Sequence, residues 1–159
     1  MIIAIANDHG AYQYKNEIKE MLEKEGHTVI DCGTNDGKSV DYPDYAKACA
    51  EKVVSGQAER GIVLCGTGIG ISISANKIKG IRCALCTDVT MARLTREHND
   101  ANMLAMGQRT MGIETCKDVV RTFINTPFSQ GERHKIRIQK IAELEKEEKI
   151  LKKVVCSKK

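Results

Sequence analysis

Five short strand-like runs, Ile2–Ala6, Thr28–Ile30, Gly61–Leu64, Arg82–Leu85 and Met103–Gly107, recur roughly every 25 residues and constrain this chain more than any other feature. Most are apolar along their length, as strands covered on both faces are, and lack the polar alternation of a sheet with one wet face. Helical patterns lie between them. Tyr12 to Glu25 places Ile18, Met21 and Leu22 on one face and is stopped by Gly26. Asp41-Tyr42-Pro43-Asp44-Tyr45 starts a second helix, with Pro43 in its first turn, and Ala46 to Ser55 continues it to Gly56. Two more helices are predicted over 88–97, with Thr87 as N-cap, and over 113–125. Strand, helix and strand in this rhythm imply crossover connections between parallel strands. The pattern predicts a three-layer α/β/α, Rossmann-like domain with a five-stranded parallel sheet.

Thr126-Pro127-Phe128 breaks the periodicity, and Ser129-x-x-Glu132 reads as a capping box for one more helix over about 132–149. No strand follows it. Ile136, Ile138, Ile141 and Leu144 give this helix an apolar face that needs cover, which predicts packing on a partner subunit. A homodimer is expected, with a tetramer left open. Residues 1–149 thus read as one domain and 150–159 as a basic tail.

Composition narrows the class. The formal net charge is +4, and much of the excess lies after residue 130, so the balance does not argue for a nucleic-acid partner. No run reaches the ~18 apolar residues of a membrane span, and the first six residues are too short and uncharged for a signal peptide. A cytoplasmic protein is expected. The 7 cysteines are odd in number and irregularly spaced, as in a reducing compartment. Cys83-x-x-Cys86 would point its thiols to opposite faces of a strand, and no second CxxC or His pair completes a metal site. No metal and no cofactor are expected.

Chemistry concentrates after the strands. Cys65-Gly66-Thr67-Gly68-Ile69-Gly70 follows Ile62-Val63-Leu64, so a thiol meets a glycine-rich turn whose amide N–H groups form an anion nest. The dinucleotide pattern G-x-G-x-x-G fails at Ile71, although Asp88 stands where an acidic ribose ligand could; a Walker loop lacks its Gly-Lys-Ser/Thr. Asp8 and His9 end the first strand, either as ligands or as a helix cap and a loop histidine. His98-Asn99-Asp100-Ala101-Asn102 precedes the fifth strand. The carboxyl ends of parallel strands lie on one edge, so Asp8, His9, Cys65 to Gly70 and His98 to Asn102 are expected to converge there. Arg109, and Arg133 with Arg137 at i, i+4, suit a phosphate, the plain alternative for each being a surface ion pair. A thiol, imidazoles, an amide nest and arginines fit proton transfer on a phosphorylated sugar, with the thiolate as base.

Asp8-His9, Asp41-Tyr42-Pro43, Cys65-Gly-Thr-Gly-Ile-Gly-Ile-Ser-Ile, Ala75-Asn76-Lys77, Arg96-Glu97-His98-Asn99-Asp100 and Gly131-Glu-Arg133-His134 together resemble the ribose-5-phosphate isomerase B family, which includes the galactose-6-phosphate isomerase subunits. The resemblance runs from residue 2 to about 147. It implies metal-free interconversion of D-ribose 5-phosphate and D-ribulose 5-phosphate, or the same chemistry on a six-carbon sugar phosphate, in a dimer whose sites draw on both subunits. It implies Cys65 as the base. Thr67 and the amides of Gly66, Gly68 and Gly70 would surround the enediolate, and His98 would open the sugar ring. Asp8 and Asn99 would bind hydroxyls, and His9, Arg109, Arg133 and Arg137 the phosphate, with His134 nearby. Family members that use a glutamate base carry it at the position of Ile71, so this chain resembles the thiol branch. Ala11 stands where the family usually has glycine, and would be strained if that position needs positive φ. A sugar-phosphate or nucleotide sensor without catalysis is the rival from another class.

Overall fold

The computed structural model describes the backbone of residues 1–156 and the side chains of residues 1–146. In chain order the elements are β1 (Ile2–Asn7), α1 (Tyr12–Lys24), β2 (Thr28–Asp31), α2 (Tyr42–Val54), β3 (Arg60–Cys65), α3 (Ile69–Ala75), β4 (Cys83–Leu85), α4 (Val89–Asn99), β5 (Met103–Gly107), α5 (Ile113–Asn125) and α6 (Glu132–Cys156). The five strands form one parallel sheet in the order β2-β1-β3-β5-β4.

Residue parity along each strand sorts the core into two layers, because successive side chains point to opposite faces. Ile3, Ile5, Ile62, Leu64, Leu104 and Met106 meet α1 and α5 through Ile18, Leu22, Val119 and Phe123. Ala4, Ala6, Val63, Cys65, Met103 and Ala105 meet α2 and α3 through Ala46, Cys49, Ala50, Ile71 and Ala75. The second face carries smaller side chains at the strand ends, so α2 and α3 sit close against it. Cys83 joins the second layer and Cys86 the first, on opposite faces of the sheet as their spacing implies. Burial pushes both thiols up to about 12, which makes them inert packing groups.

Local details differ from the sequence expectation at three helix starts. Asp88, not Thr87, caps α4, its carboxylate accepting the Met91 N–H at 2.9 Å. The Ser129 capping box does not form; the Ser129 hydroxyl instead donates to the Glu97 carbonyl and ties the 126–131 connection to the end of α4. Asp8 does not cap α1, whose N-cap is Ala11 at φ −143, outside the region that would strain alanine. α6 runs beyond the expected end near 149, through Cys156. Ile136, Ile141 and Leu144 on it are exposed, as is Ile73 on α3. The side chains of the 150–159 tail lie outside the described residues.

Candidate active site

From β1 the sheet is wound in two directions, toward β2 on one side and β3 on the other, and such a switch point leaves a crevice at the strand carboxyl ends. β1 and β3 run in register there, with Asn7 opposite Leu64, and the Asp8 N–H donates to the Leu64 carbonyl at 3.1 Å. Asp8 and Cys65 therefore emerge side by side. The Asp8 carboxylate accepts the Gly10 N–H at 2.8 Å, closing a tight turn. A Cβ on Gly10 would lie only 3.2 Å from the Gly66 nitrogen, so the two loops approach closely and a side chain there would have to push one of them aside by a few tenths of an ångström.

Cys65 is 5% exposed, and its sulfur accepts the Gly68 N–H at 3.1 Å. Gly68 adopts φ 77, and a Cβ there would lie 2.7 Å from both Leu85 Cδ1 and the Met106 carbonyl carbon. Glycine is required by both conformation and space. The Thr67 hydroxyl oxygen accepts the Ile69 N–H at 3.2 Å, while the Gly66 and Thr67 amides meet no protein acceptor among the described residues. The loop after β5 closes over this turn: Gln108 N–H donates to the Cys65 carbonyl at 3.1 Å, and Arg109 N–H to the Gly66 carbonyl at 2.8 Å. The Arg109 guanidinium consequently lies across Gly66, within 3.4 Å of where a Cβ would stand.

Two contributors escape sequence reasoning. Tyr42 packs on Gly70, where a Cβ would come within 2.6 Å of its ring. The Val40 N–H donates to His9 Nδ1 at 3.2 Å. A glycine that tolerates no Cβ was a usable signal for the first; backbone donation from a distant loop leaves none.

The structure corrects the expected convergence of His98 to Asn102 with Cys65. α4 begins beside the carboxyl end of β4 and returns antiparallel to it, so its last turn reaches the amino edge of the sheet. There the Asn102 carbonyl accepts the Gly61 N–H at 3.0 Å, at the opposite end of β3 from Cys65. The four residue steps from Gly61 to Cys65 span roughly 13 Å. Within one chain His98 and Asn99 do not share the edge that carries Cys65.

A second cluster forms at that amino edge. The His98 and His134 rings stack at 4.4 Å between centroids and 12° between planes, and Arg133 Nε stands 3.4 Å from His134 Nε2. Burial, and then the neighbouring charges of His98, Arg133 and Arg137, hold His134 below its ordinary value. Asp8, His9, Cys65, Gly66, Thr67, Gly68, Gly70 and Arg109 thus gather at one edge, and His98, Asn99, Arg133, His134 and Arg137 belong to the other. Among the described residues no three His, Cys, Asp or Glu side chains stand together as a metal set.

Topology and crevice define a doubly wound α/β protein whose ligand site lies at the β1/β3 switch point. The chain belongs to the ribose/galactose isomerase family, whose model matches residues 3–141. It is 45% identical over 144 residues to the galactose-6-phosphate isomerase subunit LacB of Clostridium acetobutylicum, covering 91% of this chain and 83% of that one. It is 42% identical over 143 residues to ribose-5-phosphate isomerase B of Escherichia coli, covering 90% and 95%. The solved ribose-5-phosphate isomerase B of Clostridium thermocellum superposes with a TM-score of 0.91 at 53% identity, covering 92% of this chain and 99% of that one. The protein is a sugar phosphate isomerase, an enzyme of the aldose–ketose class. No helix is long and apolar enough to cross a membrane among the described residues.

Proposed function

We propose that this protein interconverts D-ribose 5-phosphate and D-ribulose 5-phosphate in a site completed by a second copy of the chain. The observation that carries the reading is the Cys65 sulfur held by the Gly68 N–H beside the Gly66 and Thr67 amides, which meet no acceptor among the described residues. Cys65, as thiolate, takes the proton from carbon 2 of the open-chain aldose and returns it to carbon 1, while the hydroxyl proton on oxygen 2 passes to oxygen 1. The charge that develops on the enediolate oxygens falls to the Gly66 and Gly70 amides and the Thr67 hydroxyl, while the Gly68 N–H stays on the Cys65 sulfur. His98 opens the furanose by moving a proton between the anomeric hydroxyl and the ring oxygen. Asp8 and Asn99 bind sugar hydroxyls, and His9, Arg109, Arg133 and Arg137 bind the phosphate, with His134 alongside.

The split of these residues between two sheet edges supports the second copy. An antiparallel pair of chains lets the amino-edge cluster of one face the carboxyl edge of the other, and the exposed Ile73, Ile136, Ile141 and Leu144 supply apolar surface for such a contact. A six-carbon substrate such as galactose 6-phosphate or allose 6-phosphate is the second reading, favoured by the similarity to LacB. A panel of five- and six-carbon aldose phosphates, run with and without chelator, tests both. The highest kcat/KM is expected on ribose 5-phosphate and unaffected by chelator; a six-carbon preference selects the second reading, and absence of turnover on every sugar rejects both.

A further inference from the structure

Lys15 is the largest charged side chain of α1 that is fully buried, yet it lies away from Cys65 and the reaction does not use it. Its ammonium donates to Asp31 Oδ2 at 2.8 Å and to the Asn35 side-chain oxygen. Asp31 turns its other oxygen to the Gly33 N–H at 3.0 Å, and Lys19 adds a second ammonium at 3.3 Å. The Cys32 N–H is tied to the Ile5 carbonyl at 2.8 Å. One end of the connection between β2 and α2 is therefore clamped to the helix that directly follows His9-Gly10-Ala11. Its other end brings Val40, whose N–H donates to His9 Nδ1 at 3.2 Å.

A backbone N–H can only donate. His9 Nδ1 therefore accepts and carries no proton, and the ring's proton resides on Nε2. We infer that Lys15 and Asp31 are positioning residues which hold the 32–41 connection so that the Val40 N–H keeps His9 as the neutral Nε2–H tautomer. His9 then offers its ligand one directed hydrogen bond and no charge. This rests on the reading that His9 binds the substrate phosphate, and it divides the phosphate's recognition: the arginines balance charge, and His9 sets orientation. The same connection ends in Asp41, the N-cap of α2, and so also places Tyr42 on Gly70.

The test is 15N NMR of the full-length protein, with the His9 ring signals assigned by their loss in His9→Gln. An unprotonated Nδ1 and a protonated Nε2 are expected without any ligand. A protonated or rapidly averaging Nδ1 overturns the inference, whatever the enzyme's substrate proves to be. Val40→Pro deletes the donor, at the cost of fixing φ there and restricting Ser39. It should let the two tautomers average, raise the dissociation constant for inorganic phosphate and the KM for ribose 5-phosphate about three- to tenfold, and leave kcat within about twofold, as expected for one neutral hydrogen bond to a non-reacting group. Lys15→Met should shift the His9 signals the same way, and Lys15→Arg should restore them in part. A fixed tautomer in both Val40→Pro and Lys15→Met, or an unchanged phosphate affinity, removes the positioning role. Because the ring signals and the phosphate titration need no turnover, failure of the ribose 5-phosphate reading is distinguishable from failure of this one.

Discussion

The Gly68 N–H donates to the Cys65 sulfur at 3.1 Å, and it does so from a left-handed residue that caps a seven-residue helix. A hydrogen bond to sulfur from this direction fixes where the sulfur stands, at the mouth of the glycine-rich turn. The same glycine conformation that turns the chain from β3 into α3 therefore prepares the proposed base.

Cys65→Ala should abolish solvent exchange of the carbon 2 proton, lowering kcat by about 10²- to 10⁴-fold, the range for loss of a positioned base, while sugar-phosphate binding persists. Deuterium incorporation followed by NMR measures it. Full exchange in the variant would remove Cys65 from the reaction.

Gly68→Ala should cost about 1–3 kcal/mol of stability and most of the activity, since φ 77 is strained for alanine and the added methyl meets Leu85 and the Met106 backbone. Urea unfolding compared with Gly56→Ala, which has φ 77 but nothing within 4 Å, separates the steric part from the backbone part.

Mixing Cys65→Ala with His98→Asn, after dissociation and reassociation, should restore about a quarter of wild-type activity from two nearly inactive parents. Half of the dimers then pair the two variants, and each such dimer has one intact site. Absence of recovery would mean that Cys65 and His98 act within one chain, contrary to their placement at opposite sheet edges.

The folded protein should lose stability as pH falls below about 6.5, with His134 responsible for part of the slope. Its neutral form is favoured by burial and by the positive charge around it, so the unfolded chain binds the proton first. Thermal melts from pH 8 to 5 check this, and His134→Gln should flatten the profile.

A second, more acidic limb belongs to Asp31. Burial alone would raise its carboxyl, but hydrogen bonds from Lys15 and the Gly33 N–H outweigh it, and the net shift is downward from 3.8. Stability from this group is present above the unfolded value and lost as pH drops through the lower folded one. Lys15→Met should shrink that limb and destabilise the protein at neutral pH by about 2–3 kcal/mol, less than a fully buried pair because Lys19 and the Gly33 N–H still reach Asp31.

Most of the fold was legible in local signals. The five runs became the five strands, and every helix except α3 lies close to where apolar spacing and helix-start signals predicted it, because burial on two faces and on one face leave different periodicities. The turn after Cys65 was legible for the same reason, since φ above zero and close backbone approach demand glycine locally. Thr87 and Ser129 misled because a cap depends on which neighbouring oxygen the backbone reaches, and the connection to α6 was drawn instead to the Glu97 carbonyl.

The sequence by itself determined that strands would be parallel, that Cys65 would end one of them among free amides, and that histidines and arginines would be at hand. Only the tertiary structure decided which of those meet. A crossover helix must return across the sheet before the next parallel strand can begin, so His98 at the end of α4 is carried to the amino edge while Cys65 stays at the carboxyl edge. Residue spacing records the period of each element, but the edge on which a side chain arrives depends on the direction of the whole winding.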